Sequence, residues 1–264
     1  MYTFDYQRPA NAAAAVAALQ GDARYLAGGQ SLVQAMKLRL SASERLVDLG
    51  GAADLKGIKV DGANVVIGAM TTHAAVARSA EVQKAIPALA ELAGGIGDQM
   101  VRNMGTLGGS IANADPAADY PAAVVGLGAT VNTNKRAIAA DAFFTGLYET
   151  ALQPGELITS VSFPIPQKAA YVKYKQPASR FALVGVFASQ GAGGVRVAVT
   201  GAKSSVFRAG PLEDALKASF TAAAAKAVKM PETDINSDLH GSAAYRAAMI
   251  SVMASRAVAA ALAR

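Results

Sequence analysis

Cysteine and tryptophan are absent, and histidine occurs only at His73 and His240. Without cysteine the chain has no disulfide, no thiolate zinc site, no protein-ligated iron–sulfur cluster and no Cys nucleophile. Two histidines are too few for a multi-His metal centre. Aromatic residues make up only 6% of the chain, which argues against a base- or sugar-stacking surface. Long hydrophobic runs are missing too. Mean hydropathy is +0.26, yet the long charge-free stretches 120–134 and 181–195 contain Gly and polar residues and fall short of the ~20 residues of a spanning helix. The start, MYTFDYQRPANAAAAVAALQ, puts Asp5 ahead of Arg8 and lacks the basic head of a signal peptide. The expectation is a cytoplasmic protein with no transmembrane segment.

What is present is a core-rich chain. Apolar residues are 52% of 264, enough for one large or two modest domains. The net charge of +6 is unevenly spread. Residues 1–164 carry 12 Lys+Arg and 14 Asp+Glu, a net of −2, whereas residues 165–264 carry 13 and 5, a net of +8. The basic residues stand singly, with Lys135-Arg136 the one adjacent pair, and no aromatics interleave with them. That pattern argues against nucleic acid and suits an acidic protein surface or an anionic cofactor.

Along the chain, the Ala run reads as a helix starting near Pro9–Asn11. Arg24–Ala27 reads as a short strand and Ser31–Leu40 as a helix that Ser31 can cap. Arg45–Leu49 is strand-like. Ile58–Val60 and Val65–Ala69 read as a hairpin turning at Asp61-Gly62 in a type I′ turn. Thr72 caps a helix through Arg78, and another helix spans about Glu81 to Ala93. Residues 94–121, punctuated by six glycines, read as one long functional loop. Strands follow at Ala129–Asn132 and Ile158–Phe163. Beyond Pro164 and Pro166 come three strands (Tyr171–Lys175, Phe181–Ser189, Val195–Gly201) and helices over 211–218, 221–229 and 241–263. In the last helix Tyr245, Met249, Val252, Met253 and Ala260 mark one face. Strands followed by helices indicate an α+β unit, with a boundary near residue 168.

Two glycine segments share one chemistry. Ala27-Gly28-Gly29-Gln30-Ser31 joins a strand to a helix, and Thr106-Leu107-Gly108-Gly109-Ser110 lies in the long loop. Paired glycines let backbone N–H groups approach a ligand and form an anion nest, and a helix start adds its positive end. Two facing nests suit a pyrophosphate, hence a dinucleotide. Neither familiar alternative is present. Gly95-Ile96-Gly97 runs on to Met100 and Gly126-Leu127-Gly128 to Val131, so no Gly-x-Gly-x-x-Gly exists, and there is no Gly-Lys dipeptide for a P-loop. Asp119, past the second segment, is a candidate for ribose hydroxyls. His73 reads as a structural histidine rather than a base, and His240 as a surface residue. No Ser/His/Asp set or carboxylate pair emerges, so any chemistry belongs to a cofactor.

Ala27–Ser31, Ile67-Gly68-Ala69-Met70-Thr71-Thr72-His73, Val101–Ser110 and Ala114-Asp115-Pro116-Ala117-Ala118-Asp119 together resemble the FAD-binding medium subunit of molybdenum hydroxylases. This is the family of carbon monoxide dehydrogenase, xanthine dehydrogenase and related enzymes. The two Gly-Gly motifs, in this order and roughly 75–80 residues apart, carry the likeness. The resemblance implies a two-part FAD-binding domain of the p-cresol methylhydroxylase/vanillyl-alcohol oxidase type over 1–168. A smaller C-terminal domain over 169–264 would carry a three-stranded antiparallel sheet and helices. It implies non-covalent FAD in this chain, molybdopterin in a large partner subunit and [2Fe–2S] clusters in a small one, assembled as a heterotrimer or a dimer of heterotrimers. The missing cysteines fit, since the clusters must lie elsewhere, and exclude the branch with an extra iron–sulfur insertion.

Carried over residue by residue, the resemblance assigns Leu26, Ala27, Gly28, Gly29, Gln30, Ser31 and Leu32, with Thr106, Leu107, Gly108, Gly109 and Ser110, to the pyrophosphate. Asn113 is a polar position nearby, Asp119 a ribose-side ligand, Gly97 the approach of a loop to the flavin, Ile158 an apolar contact to the ring and Lys175 a cation beside it. Arg180 stands where many relatives have an acid, and Phe181 can shield the flavin without a hydroxyl. The leading function is an electron-transfer flavoprotein subunit. The alternatives are a stand-alone flavin oxidase of the same fold, disfavoured because no acid–base pair is visible, and a basic binding module without cofactor. Lys168, Lys173, Arg196, Lys203 and Arg208 are expected to help dock acidic partner surfaces.

Overall fold

A computed structural model describes residues 1–264. The chain opens with a small parallel sheet of β1 (Asp5–Gln7), β2 (Ala23–Leu26) and β3 (Arg45–Asp48), with β3 in the middle. Parallel neighbours need crossovers, and α1 (Ala12–Ala18) and α2 (Leu32–Lys37) supply them. Asn11 caps α1 by accepting from the Ala14 N–H at 2.8 Å. Ser31 precedes α2 but makes no capping bond, contrary to the sequence expectation.

The second sheet is antiparallel. It takes β4 (Ile58–Asp61), β5 (Asn64–Gly68), β6 (Thr130–Thr133), β7 (Ala137–Ala139) and, after a hairpin of β8 (Phe144–Gly146) and β9 (Glu149–Thr150), β10 (Ile158–Pro164). Its order is β4-β5-β10-β6-β7, so the last strand to form in sequence is the central one. Asp61 pairs with Asn64, which leaves Gly62-Ala63 as the turn. Only Gly62 has a positive φ there, so the turn is not type I′.

Between β5 and β6 the chain forms α3 (His73–Arg78), α4 (Ala80–Ala85), α5 (Pro87–Gly94), α6 (Gln99–Met104), α7 (Leu107–Asn113) and α8 (Tyr120–Leu127). Thr72 caps α3 as expected. The single helix expected over 81–93 is two, because Pro87 lacks the N–H that would continue α4 and instead opens α5. The expected long loop over 94–121 is mostly helical. Asp98 and Thr106 each cap a helix inside it, and Gly108-Gly109 sit in the first turn of α7, where glycine costs least. These helices bury Leu89, Leu92, Leu107, Ile111 and Tyr120 against the sheet's Ile67, Val131 and Phe163.

The remainder is a meander of β11 (Lys168–Lys175), β12 (Ala182–Gly191), β13 (Gly194–Thr200) and the short β14 (Phe207–Arg208). It thus has four strands rather than three. After α9 (Ala140–Phe143), which precedes β8, the last helices are α10 (Gly210–Ala218), α11 (Ala222–Ala227) and α12 (Ala243–Leu262). Residues 182–189 of β12 are buried on both faces. Val184, Val186 and Ala188 point into a core with Leu212, Ile250, Met253 and Ala257, while Phe187 points the other way onto α8. Gly126 of α8 makes room for that ring, since a Cβ there would lie 2.7 Å from Phe187 Cδ1. The buried face of α12 is Ala247, Ile250, Met253, Ala254, Ala257, Val258 and Ala261. Tyr245 is exposed instead, meeting the Tyr174 ring edge to face.

The charge asymmetry has a structural use. Lys173 pairs with Asp119 at 2.7 Å, Arg208 with Asp141 at 3.4 Å, Arg196 with Asp141 and Arg264 with Glu91. Bases of the second part thus bind acids of the first. Of the five cations expected to form a docking set, Lys173, Arg196, Lys203 and Arg208 hold an acid of this same chain.

Candidate functional site

A cavity of about 540 Å³ opens where β2–α2, the α6–α7 junction, the 95–97 loop, the start of β10 and residues 179–181 meet. That volume lies in the range of small-molecule sites. Ala27, Gly28, Gly29, Gln30, Ser31, Leu32, Gly97, Thr106, Gly108, Gly109, Ser110, Asn113, Asp119 and Ile158 all line it. Three residues assigned from the resemblance do not. The Leu26 side chain lies beneath Gly29, Leu107 is fully buried in the core, and Lys175 is exposed at the end of β11.

The glycines are there for a reason the sequence did not give. A Cβ on Gly28 would stand 2.1 Å from the Met104 carbonyl oxygen, and one on Gly108 would stand 2.6 Å from Ala69 Cβ. Both glycines let the protein's own segments close on each other. Gly29 has φ +72°, which favours glycine.

The two segments then differ. In the second, the N–H groups of Leu107 to Ser110 are all spent internally. Leu107 donates to Thr71 O at 3.1 Å, Gly108 to Ala69 O at 2.8 Å, Gly109 to Thr106 Oγ1 at 3.2 Å and Ser110 to Thr106 O at 3.0 Å. In the first, the N–H groups of Gly28, Gly29, Gln30 and Ser31 have no acceptor in the protein. Four consecutive free donors on a cavity wall fit an anionic group. The expected second nest is instead a packed helix-to-helix junction between α6 and α7 with the Thr106 and Ser110 side chains on its cavity side.

Three cations hold the loop that forms one end of the cavity. Lys173 Nζ donates to Gly95 O at 3.1 Å. Arg102 donates to Ile96 O and Gly97 O, both at 3.0 Å, and Arg180 to Gly97 O at 3.0 Å. Gly97 has φ +48° and Arg180 φ +64°, so both chain reversals are pinned by these bonds. Nothing in the spacing of residues 102, 173 and 180 announced this convergence.

The carboxylates of the cavity are occupied. Asp119 accepts from Lys173 Nζ at 2.7 Å and from the Tyr171 hydroxyl. Burial pushes its carboxyl up, with Lys173 pulling the other way. Each of its two oxygens thus already accepts one protein donor. Glu156 accepts from Arg136 Nε at 3.1 Å, Thr133 Oγ1 at 2.7 Å and the Gln153 N–H at 2.8 Å. Burial works against its charge, but these bonds outweigh it and hold the carboxyl at about 2.

That depressed value fixes a sign. Glu156 contributes stability that is present above its unfolded-state pKa, near 4.5, and lost as pH falls towards about 2. Glu156→Gln should therefore flatten the acid-unfolding limb in that window and cost about 1–3 kcal/mol at neutral pH. Urea melts across the window measure both. An unchanged acid limb would show that Arg136 does not hold the carboxylate.

Residues 2–166 match the model of the FAD binding domain in molybdopterin dehydrogenase. The chain belongs to this family. It is 40% identical to the carbon monoxide dehydrogenase medium chain of Afipia carboxidovorans, over 99% of this chain and 98% of that one. Among solved structures, the reconstituted CO dehydrogenase from Oligotropha carboxidovorans superposes with a TM-score of 0.88 at 37% identity, covering 100% of this chain and 99% of that one. The quinoline 2-oxidoreductase of Pseudomonas putida 86 gives 0.88 at 30%, covering 98% and 97%. No helix of the chain is long and apolar enough to cross a membrane.

Proposed function

We propose that the chain is the FAD-carrying electron-transfer subunit of a heteromeric molybdopterin hydroxylase or dehydrogenase. A small [2Fe–2S] subunit delivers electrons to it, and it passes them to an external acceptor. Substrate oxidation belongs to a large molybdopterin subunit. FAD, when bound, supplies the redox chemistry. The observation that carries this is the run of four unpaired N–H groups at Gly28–Ser31 beside a cavity whose own acids are tied up. The free donors suit the pyrophosphate. Thr106, Ser110 and Asn113 add polar contacts, while Gly97 and Ile158 lie along the ring. No cavity carboxylate is left free as a general base, which favours electron transfer over a stand-alone oxidase. The FAD-binding part ends near residue 168, and the complex works in the cytoplasm.

The likeness to medium chains over nearly their whole length supports the same reading. Two measurements test it. Acid precipitation of the purified protein should leave FAD in the supernatant, and co-expression with the neighbouring genes should yield a complex containing molybdenum and iron. Flavin retained by the denatured pellet, or a flavoprotein that turns over substrate with no metal-bearing partner, would overturn it.

A further inference from the structure

From Leu107 to Ser110 the second glycine segment has no backbone donor left for a ligand, but a side chain beside it does. His73 is 4% exposed and lines the cavity. Its own backbone fixes it there: the His73 N–H donates to Gly105 O at 2.9 Å, and Thr72 forms a bridge with Thr106. Gly105 makes room for the ring, since a Cβ there would stand 2.5 Å from Nε2. Tyr120 packs on the imidazole with ring centroids 5.2 Å apart. Nδ1 is sealed from solvent without a hydrogen-bond partner, contrary to the satisfied structural histidine the sequence suggested. Nε2 is the nitrogen left to face the cavity.

A buried polar ring without a protein partner calls for one from elsewhere. Burial, and then the charge of Arg102, hold the imidazole's pKa at about 4, so at neutral pH it is uncharged and carries a single N–H. The positive potential of Arg102 that opposes the imidazolium also favours an anion at the same place. The anionic part of FAD is its pyrophosphate.

We propose that His73 is a further FAD-binding residue, its neutral Nε2–H donating to the pyrophosphate on the side of the second glycine segment. This rests on the reading of the cavity as the FAD site. It gives the two segments unlike roles: the first binds through backbone N–H groups, the second side through side chains, among them the imidazole that Gly105 admits.

The chain has only two histidines, so ¹⁵N-histidine labelling of the full-length apo protein gives two imidazoles to follow. FAD should move the His73 Nε2 resonance and leave that of His240 in place. ADP, which carries the pyrophosphate, should reproduce the shift, and riboflavin should not. His73→Leu should bind FAD at least about tenfold more weakly by flavin fluorescence, and His73→Gln, which keeps an N–H, should recover most of that loss. A His73 resonance that moves no more than that of His240 while FAD binds, or one that riboflavin alone moves, overturns the proposal. If His73→Leu fails to fold, the labelled wild-type chain still decides. A wild-type chain that binds no FAD overturns the cavity reading itself.

Discussion

Gly28→Val should purify as a folded chain nearly empty of flavin. A Cβ at this position would lie 2.1 Å from the Met104 carbonyl oxygen and 2.7 Å from Gly105 Cα. Both are backbone atoms, so no side chain can swing aside. The β2–α2 link must lift off the α6–α7 junction by an ångström or more, and the free N–H groups of Gly28–Ser31 move with it. Nothing in the main core depends on this contact, so far-UV circular dichroism should be close to wild type. The ratio of flavin to protein absorbance should fall at least about tenfold, the loss expected when a binding geometry built from several N–H bonds of ~1.5–3 kcal/mol each is displaced. Gly109→Ala is the graded comparison. Its Cβ would meet Thr106 Oγ1 at 2.9 Å and Ala27 Cβ at 3.2 Å, both side-chain atoms, so the loss should be smaller. Gly193, in the β12–β13 turn, has nothing within 4 Å, and Gly193→Ala should keep its flavin. Wild-type loading in Gly28→Val would show that the two walls need not touch.

The sequence disclosed this site unevenly, for physical reasons. Paired glycines are visible as letters, and fourteen of the assigned residues do line the cavity. What the letters do not show is which neighbour forbids the Cβ. The expectation was close approach by a ligand, whereas Gly28 and Gly108 accommodate the chain itself. Residues 94–121 looked like a loop because glycine, asparagine and aspartate are poor helix interiors. At caps and in first turns the same residues are favourable, and there the chain uses Asp98, Thr106, Gly108 and Gly109. β10 was legible as a strand from its alternation, but its central place between β5 and β6 comes from long-range pairing that no local pattern carries. The basic surplus after residue 164 suggested a partner. Four of its thirteen cations instead bind acids of the first part, so the same signal also reported an internal seam.

Lys173 and Lys175 show that seam at its sharpest, and their exchange gives the largest stability effect expected in the chain. They sit two residues apart on β11, and the resemblance pointed to Lys175. In the fold Lys175 is exposed, whereas Lys173 reaches Asp119 and Gly95 O in a nearly water-free setting. Lys173→Met removes the cation and leaves Asp119 buried with only the Tyr171 hydroxyl, so the carboxylate must take up a proton or stay charged without a counterion. Breaking one side of a buried pair costs about 3–5 kcal/mol, and a chemical melt should show a loss of that size. Adding Asp119→Asn to Lys173→Met removes the stranded charge and should return a large part of it. That recovery distinguishes an uncompensated charge from simple loss of packing by the lysine stem. The Gly95–Gly97 loop loses one of its three cationic ties as well, so flavin should also dissociate faster from the single variant. Lys175→Met, on the open edge of the same strand, should change stability by no more than about 0.5 kcal/mol. Equal effects from the two lysines would remove Asp119 and Lys173 from the centre of this seam.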